Sequence, residues 1–274
     1  MNEKKWFRDA GALIAALVLY EIGKLAGAFF AQMLREAVYL SVPGAAVGGS
    51  EAFPAGFWDG LQSLLIQLAG GGIVWLVWRK ELLGEFLNEG RRTILLCFLA
   101  VTSALGLNLL LALSRIMLLS DAFRETAAAQ AAVPVWMGVL LYGIAAPFSE
   151  EVLFRGMFYR KAREAFGGEK RRWAASIFSA LLFGIYHGNL VQGIYAFLIG
   201  ILLCMVYERA GKLSAAVMFH GAGNLAVYLL IDVWGIGEHL PFGVGAALCA
   251  LLLIAAACCL KPCFGAGEGM KKEC

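Results

Sequence analysis

Three short stretches of this chain put acid, base and amide side chains inside apolar surroundings. They are Ala146-Pro147-Phe148-Ser149-Glu150-Glu151-Val152-Leu153-Phe154-Arg155-Gly156, Phe183-Gly184-Ile185-Tyr186-His187, and Phe219-His220-Gly221-Ala222-Gly223-Asn224. Placing an ionisable group within a bilayer costs roughly 3 kcal/mol on insertion scales, which makes each one a functional candidate by default. A carboxylate and an imidazole that converge on one water can remove its proton, and a low-dielectric surround strengthens the carboxylate as a base. A second imidazole and an amide can hold the oxyanion that follows, worth about 3–4 kcal/mol per donor in other hydrolases. The bland alternative makes both membrane histidines helix-to-helix hydrogen-bond glue.

Helical spacing sorts these residues further. Neighbours on a helix point about 100° apart, so Glu150 and Glu151 cannot share a face. Glu151 and Arg155 stand at i, i+4 and can neutralise one another. Glu150 is left without a local partner; it must find one on another helix, stay protonated, or meet water in a cavity. Pro147 lacks a backbone donor and predicts a kink beside the pair. His220 and Asn224 share one face at i, i+4, and Phe183 stands four residues before His187, where it can wall the same site. Glu21 and Lys24 form a second i, i+3 pair, read as structural. Asp59 falls at a water-accessible edge, Asn108 is either helix glue or a cavity residue, and His239 reads as an incidental loop residue beside Pro241.

The elements that must position these groups are membrane helices. Of 274 residues, 61% are hydrophobic and 16% charged, and the mean hydropathy is +0.74. A soluble domain carries about a quarter charged residues, so this composition excludes one compact water-soluble domain, disorder and a disulfide-stapled secreted module. Blocks of about 20 apolar residues, long enough to cross a bilayer, fall near 10–33, 57–78, 93–118, 133–155, 173–188, 190–207, 213–231 and 241–260. The expected class is therefore an all-α polytopic membrane protein of about eight transmembrane helices. It reads as one integral membrane domain, 1–274, with a motif-bearing core at 147–224. The fifth and sixth blocks are short and separated only by Gly188-Asn189, which predicts a tight hairpin or partial re-entry. The stretch 34–56 reads as an external loop. Gly23 and Gly27 have the small-xxx-small spacing of close helix packing.

Of the 23 Lys and Arg residues, 18 lie at one set of span ends and 3 at the other, with Lys24 and Arg155 inside spans. The positive-inside rule then puts both termini in the cytoplasm. The first span is too long for a signal-peptide core and reads as a retained anchor. The seven cysteines, mostly in apolar runs and without C-x-x-C spacing, read as small helix residues rather than a metal or redox site.

The three motifs, in this order, resemble the CPBP family of intramembrane proteases, which holds the CAAX prenyl endopeptidases and bacterial relatives linked to bacteriocin processing and self-immunity. The family pattern E-E-x-x-x-R is Glu150, Glu151 and Arg155 here; F-x-x-x-H is Phe183 and His187; H-x-x-x-N is His220 and Asn224. The resemblance implies endopeptidase activity, hydrolysing a peptide bond with a water activated in the membrane. Glu150 would be general base with His187 assisting, His220 and Asn224 would bind the oxyanion, and Glu151, Arg155 and Phe183 would support the site. The family is often called metalloprotease, and Glu150, His187 and His220 would supply a His₂Glu set for zinc or another divalent metal; without an H-E-x-x-H helix, chemistry that requires no cofactor is favoured. The expected partners are membrane lipid and a peptide or protein substrate, lipidated or membrane-associated, with no nucleic acid. The rival readings are a non-catalytic immunity or binding protein and a proton-coupled transporter. The expected location is a bacterial plasma membrane.

Depth adds one expectation. His220 stands about 10 Å above the basic start of its span, at 1.5 Å per residue. His187 lies 15 residues past Arg172. The two meet only if the basic first turns, Lys170 to Trp173, project beyond the membrane; the site is then expected to open towards the inner leaflet.

Overall fold

A computed structural model describes residues 3–41, 53–82, 93–167, 171–236 and 240–264. Among them every regular element is helical. We number the helices α1 (Glu3–Ser41), α2 (Phe57–Leu82), α3 (Thr93–Leu113), α4 (Asp121–Ala132), α5 (Val135–Phe166), α6 (Arg172–Tyr186), α7 (Leu190–Ala210), α8 (Leu213–Val233) and α9 (Phe242–Phe264). Seven of these, all but α4 and α6, are long and apolar enough to cross a membrane. Together with the exposed apolar side chains along α1, α2, α6 and α9, they make this a polytopic integral membrane protein.

The predicted blocks all become helices, with three differences. α1 runs on to Ser41, so the expected external loop begins later than residue 34; residues 42–52 lie outside the described set, as do His239 and Cys274. The third block stops at Leu113, where the chain turns through Arg115 in the left-handed region (φ 59°). Beyond that turn lies α4, which hydropathy alone had not marked. Its start is capped by Ser120, whose Oγ accepts from the Phe123 backbone N–H.

α6 has 15 residues, about 22 Å at 1.5 Å per residue, against a hydrocarbon core of about 30 Å. It turns back through Gly188 (φ 75°) into α7, which Asn189 caps by accepting from the Gln192 N–H at 2.9 Å. This is the expected hairpin. Gly184 and Gly193 let the two helices meet, since a β-carbon on Gly184 would lie 2.7 Å from the Gly193 carbonyl oxygen.

α1 packs along α2, α9 and α8 on α3, and α6 on α7. The Gly23–Gly27 pair serves the α1–α2 crossing: β-carbons there would fall 2.6 Å from the Ala69 oxygen and 2.5 Å from the Leu65 oxygen. The basic helix ends gather at one end of the bundle. Lys161 reaches Asp9 at 3.6 Å, Arg160 reaches Glu81 at 2.6 Å, and Arg163 reaches Glu208 at 3.1 Å. Arg163 is thus level with Glu208, so the last turn of α5 lies beside the end of α7; Lys170, in the turn expected to project, lies outside the described residues.

Candidate active site

α5 carries the acidic motif, and its backbone is not a uniform α-helix. Leu141–Ala145 and Val152–Tyr159 are π-helical, flanking the short α segment Ala146–Glu151. Pro147 cannot donate a backbone hydrogen bond, and the wider π turn ahead of it absorbs the disturbance, with the Ala146 N–H reaching back to the Leu141 oxygen. The predicted kink is thus a pair of π segments that bracket Glu150 and Glu151.

Glu151 and Arg155 are fully buried and form the expected ion pair, Nη1 to Oε1 at 2.8 Å. Arg155 also donates from Nη2 to the Gly200 carbonyl at 3.0 Å and lies over the Phe183 ring at 4.6 Å. Gly200 leaves little room, since a β-carbon there would sit 3.0 Å from the Ala180 Cβ and 3.3 Å from Arg155 Nη2. The guanidinium therefore pins α5 to α7 and to the wall of the site, while Glu151 is held in a charge-assisted bond.

His220, 5% exposed, comes between the two glutamates. Its Nδ1 is 2.8 Å from Glu151 Oε1, and its Nε2 is 3.7 Å from Glu150 Oε2. A carboxylate can only accept, so the Nδ1 proton points at Glu151 and Nε2 is directed at Glu150. The two carboxylates do point apart, as helical geometry requires, yet one imidazole reaches both because its nitrogens face in different directions. Sequence spacing gave Glu151 a partner in Arg155 and no hint of this second one, which comes from a helix 69 residues away.

His187 caps α6. Its Nδ1 lies 2.8 Å from the Phe183 carbonyl, which again fixes the proton on Nδ1 and leaves Nε2 free. Phe183 touches both imidazoles edge-on, at 4.8 Å from His187 and 5.7 Å from His220, so one ring contacts both.

Glu150, His187, His220 and Asn224 all line one cavity of about 420 Å³. Phe183, Asn108 and Asp59 line it too, which settles Asn108 as a cavity residue. The cavity occupies the half of the bundle away from the basic ends. Its walls come from the first turns of α2, the last turns of α3, α4, and the later half of α8. The expected opening towards the inner leaflet is therefore corrected relative to the helix ends: the basic end is filled by the Tyr159, Arg163 and Glu208 cluster, and the free space runs the other way.

A group the motifs did not include braces the site from α1. Buried Ser149, next to Glu150, donates to the Tyr20 hydroxyl at 3.1 Å, and Tyr20 donates to Gln67 at 3.3 Å. Lys24 donates to the Tyr186 hydroxyl at 2.5 Å, and Tyr186, next to His187, donates to Glu21. The Glu21–Lys24 pair, 3.5 Å apart, is structural as expected, but its structure includes the residue beside a site histidine.

The metal set implied by the resemblance was tested on the donors themselves. Among the described residues no three His, Cys, Asp or Glu side chains are arranged to hold one ion. His220 commits Nδ1 to Glu151, and its Nε2 stands 3.7 Å from Glu150. As arranged here the described residues do not assemble a His₂Glu set, and no step below is routed through a metal.

Comparison with known proteins places these observations. Residues 132–226 match the family model of the Type II CAAX prenyl endopeptidase Rce1-like proteins. Over 98 residues the chain is 30% identical to the UPF0177 protein YbdI of Lactococcus lactis subsp. lactis (strain IL1403), covering 35% of this chain and 50% of that protein. The chain thus spans about half the length of the curated relative it matches. No solved structure is a significant match. The resemblance read from the motifs is borne out over 132–226, the stretch that contains every motif residue.

Proposed function

We propose, from the match of 132–226 to CAAX prenyl endopeptidases and from the geometry around Glu150, that this protein is an intramembrane endopeptidase whose water is activated by Glu150. The observation that carries the reading is the convergence of Glu150, His187, His220 and Asn224 on one cavity.

Glu150 takes a proton from a water that also donates to the free Nε2 of His187. The hydroxide attacks the scissile carbonyl carbon. His220 and Asn224, four residues apart on α8, donate to the oxyanion. With Nδ1 committed to Glu151, His220 donates from Nε2 as the imidazolium. The group is then neutral: two carboxylates, the Arg155 guanidinium and one imidazolium, a balance that buried charges require. When the C–N bond breaks, the leaving nitrogen takes the proton held by Glu150, and the site is restored. Glu151 and Arg155 orient His220 and do not react, and the chemistry needs no bound metal.

The substrate is a peptide or a protein segment, lipidated or membrane-associated, and the protein resides in a bacterial plasma membrane with its basic helix ends in the cytoplasm, following the charge asymmetry of the ends. The test is cleavage of a peptide library by the purified protein with and without chelator. Cleavage that resists complete metal removal supports the reading, and cleavage lost with the metal and restored by zinc overturns the metal-free step. Well-folded protein that binds peptides and cuts none would favour the non-catalytic reading.

A further inference from the structure

Of the charged groups that line the cavity, every one outside the two imidazoles is an acid. Glu150 lies at its inner end, Asp59 at the start of α2 and Asp232 near the end of α8, and no Lys or Arg is among the described lining residues. Neither Asp59 nor Asp232 is paired with a cation among the described residues. The one cation that α4 could swing across the mouth is held back: Arg124 donates to the Leu118 carbonyl at 2.8 Å and pairs with Asp121.

α4 forms the wall over this outer half. Phe123, Thr126, Ala127 and Gln130 stand at i, i+3, i+4 and i+7 and line the cavity together with Ala129, while Ala122, Arg124, Glu125 and Ala128 are exposed. α4 is thus a one-sided cover whose inner face is neutral. Carboxylates in a partly enclosed space with low-dielectric walls focus a negative potential and draw cations. The positively charged helix ends, which would oppose that potential, gather at the opposite end of the bundle.

We propose that the outer half of this cavity recognises a positively charged peptide segment, bearing an ammonium or guanidinium group, that approaches from the end of the bundle opposite the basic helix ends. Asp59 and Asp232 receive the charge, and the adjoining apolar stretch of the peptide lies along α4 with its scissile bond at Glu150. This rests on the proposed peptidase reading for what happens at the inner end, and on the cavity alone for binding. If the basic ends are cytoplasmic, the substrates come from outside the cytoplasm.

The test separates binding from cutting. Two short peptides share one apolar centre, one flanked by lysines and one by glutamates, each with an uncharged fluorophore. Their anisotropy is followed with the full-length Glu150→Ala variant in detergent, and their cleavage with wild type. The lysine peptide is expected to bind about tenfold more tightly, and the difference to shrink in high salt. Asp59→Asn with Asp232→Asn should erase it; if that double variant does not fold, Asp59→Asn alone should narrow it. Equal binding of both peptides overturns the proposal even if both are cut, whereas charge-selective binding without any cleavage by wild type upholds it and overturns the peptidase reading. In vesicles of known orientation, scored by protease access to an N-terminal tag, an impermeant lysine peptide should be bound only where the tag is hidden. Binding only where the tag is exposed overturns the direction of approach.

Discussion

At the scale of residues, the two glutamates differ in what each has left to offer. Glu151 is spent on Arg155 and His220 at 2.8 Å each, while Glu150 faces the cavity with His220 Nε2 3.7 Å away. Glu150→Gln should therefore abolish turnover, by about 10³-fold or more in kcat, with peptide binding kept. Glu151→Gln leaves every catalytic group in place but loosens His220, and should lower kcat by about a hundredfold with little change in KM. Steady-state kinetics on the two variants separate these roles. Arg155→Met removes the guanidinium from the buried Glu151 carboxylate, leaves the buried group one positive charge short, and should cost roughly 3–5 kcal/mol of stability, read as a lower unfolding temperature in detergent. Spacing alone was enough to pair Glu151 with Arg155 and to set Glu150 apart. It was silent on His220 bridging them, because that contact depends on how α8 crosses α5, a property of no local window.

At the scale of elements, α1 connects to the site through single hydroxyls. Tyr20 and Ser149 are both fully buried, so Tyr20→Phe removes the bond from Ser149, next to Glu150, and the bond to Gln67, with almost no change in volume. It should lower kcat several-fold with unchanged KM and unchanged expression. Loss of KM alone would show that α1 serves substrate binding instead. The crossing that delivers Tyr20 relies on Gly23 and Gly27, and leucine at both should separate α1 from α2 and reduce activity more than Tyr20→Phe does. The helices themselves were legible, since a run of about 20 apolar residues has few other folds in a bilayer. α4 was not, because 12 residues of mixed polarity match neither a span nor a clear amphipathic pattern. The direction of the cavity was also hidden: depth along each helix can be counted, but whether the space above or below a residue is filled depends on side chains such as Tyr159 and Glu208 that meet from different helices.

At the scale of the whole molecule, charge is divided between two ends. The cations sit where α1 starts and where α2, α5 and α7 finish, tied to Asp9, Glu81 and Glu208, and the cavity opens into the half that carries Asp59 and Asp232. A hydrolytic centre closed on the basic side would keep water supply and substrate on the same route. The central claim is that Glu150 activates water to cut a peptide bond in this cavity. The most direct measurement is cleavage of a peptide library by purified wild-type protein beside Glu150→Gln, each treated with chelator and with its metal content recorded. The account predicts cut peptides with wild type alone, at a rate unchanged once metal is gone. Equal cleavage by Glu150→Gln would contradict it.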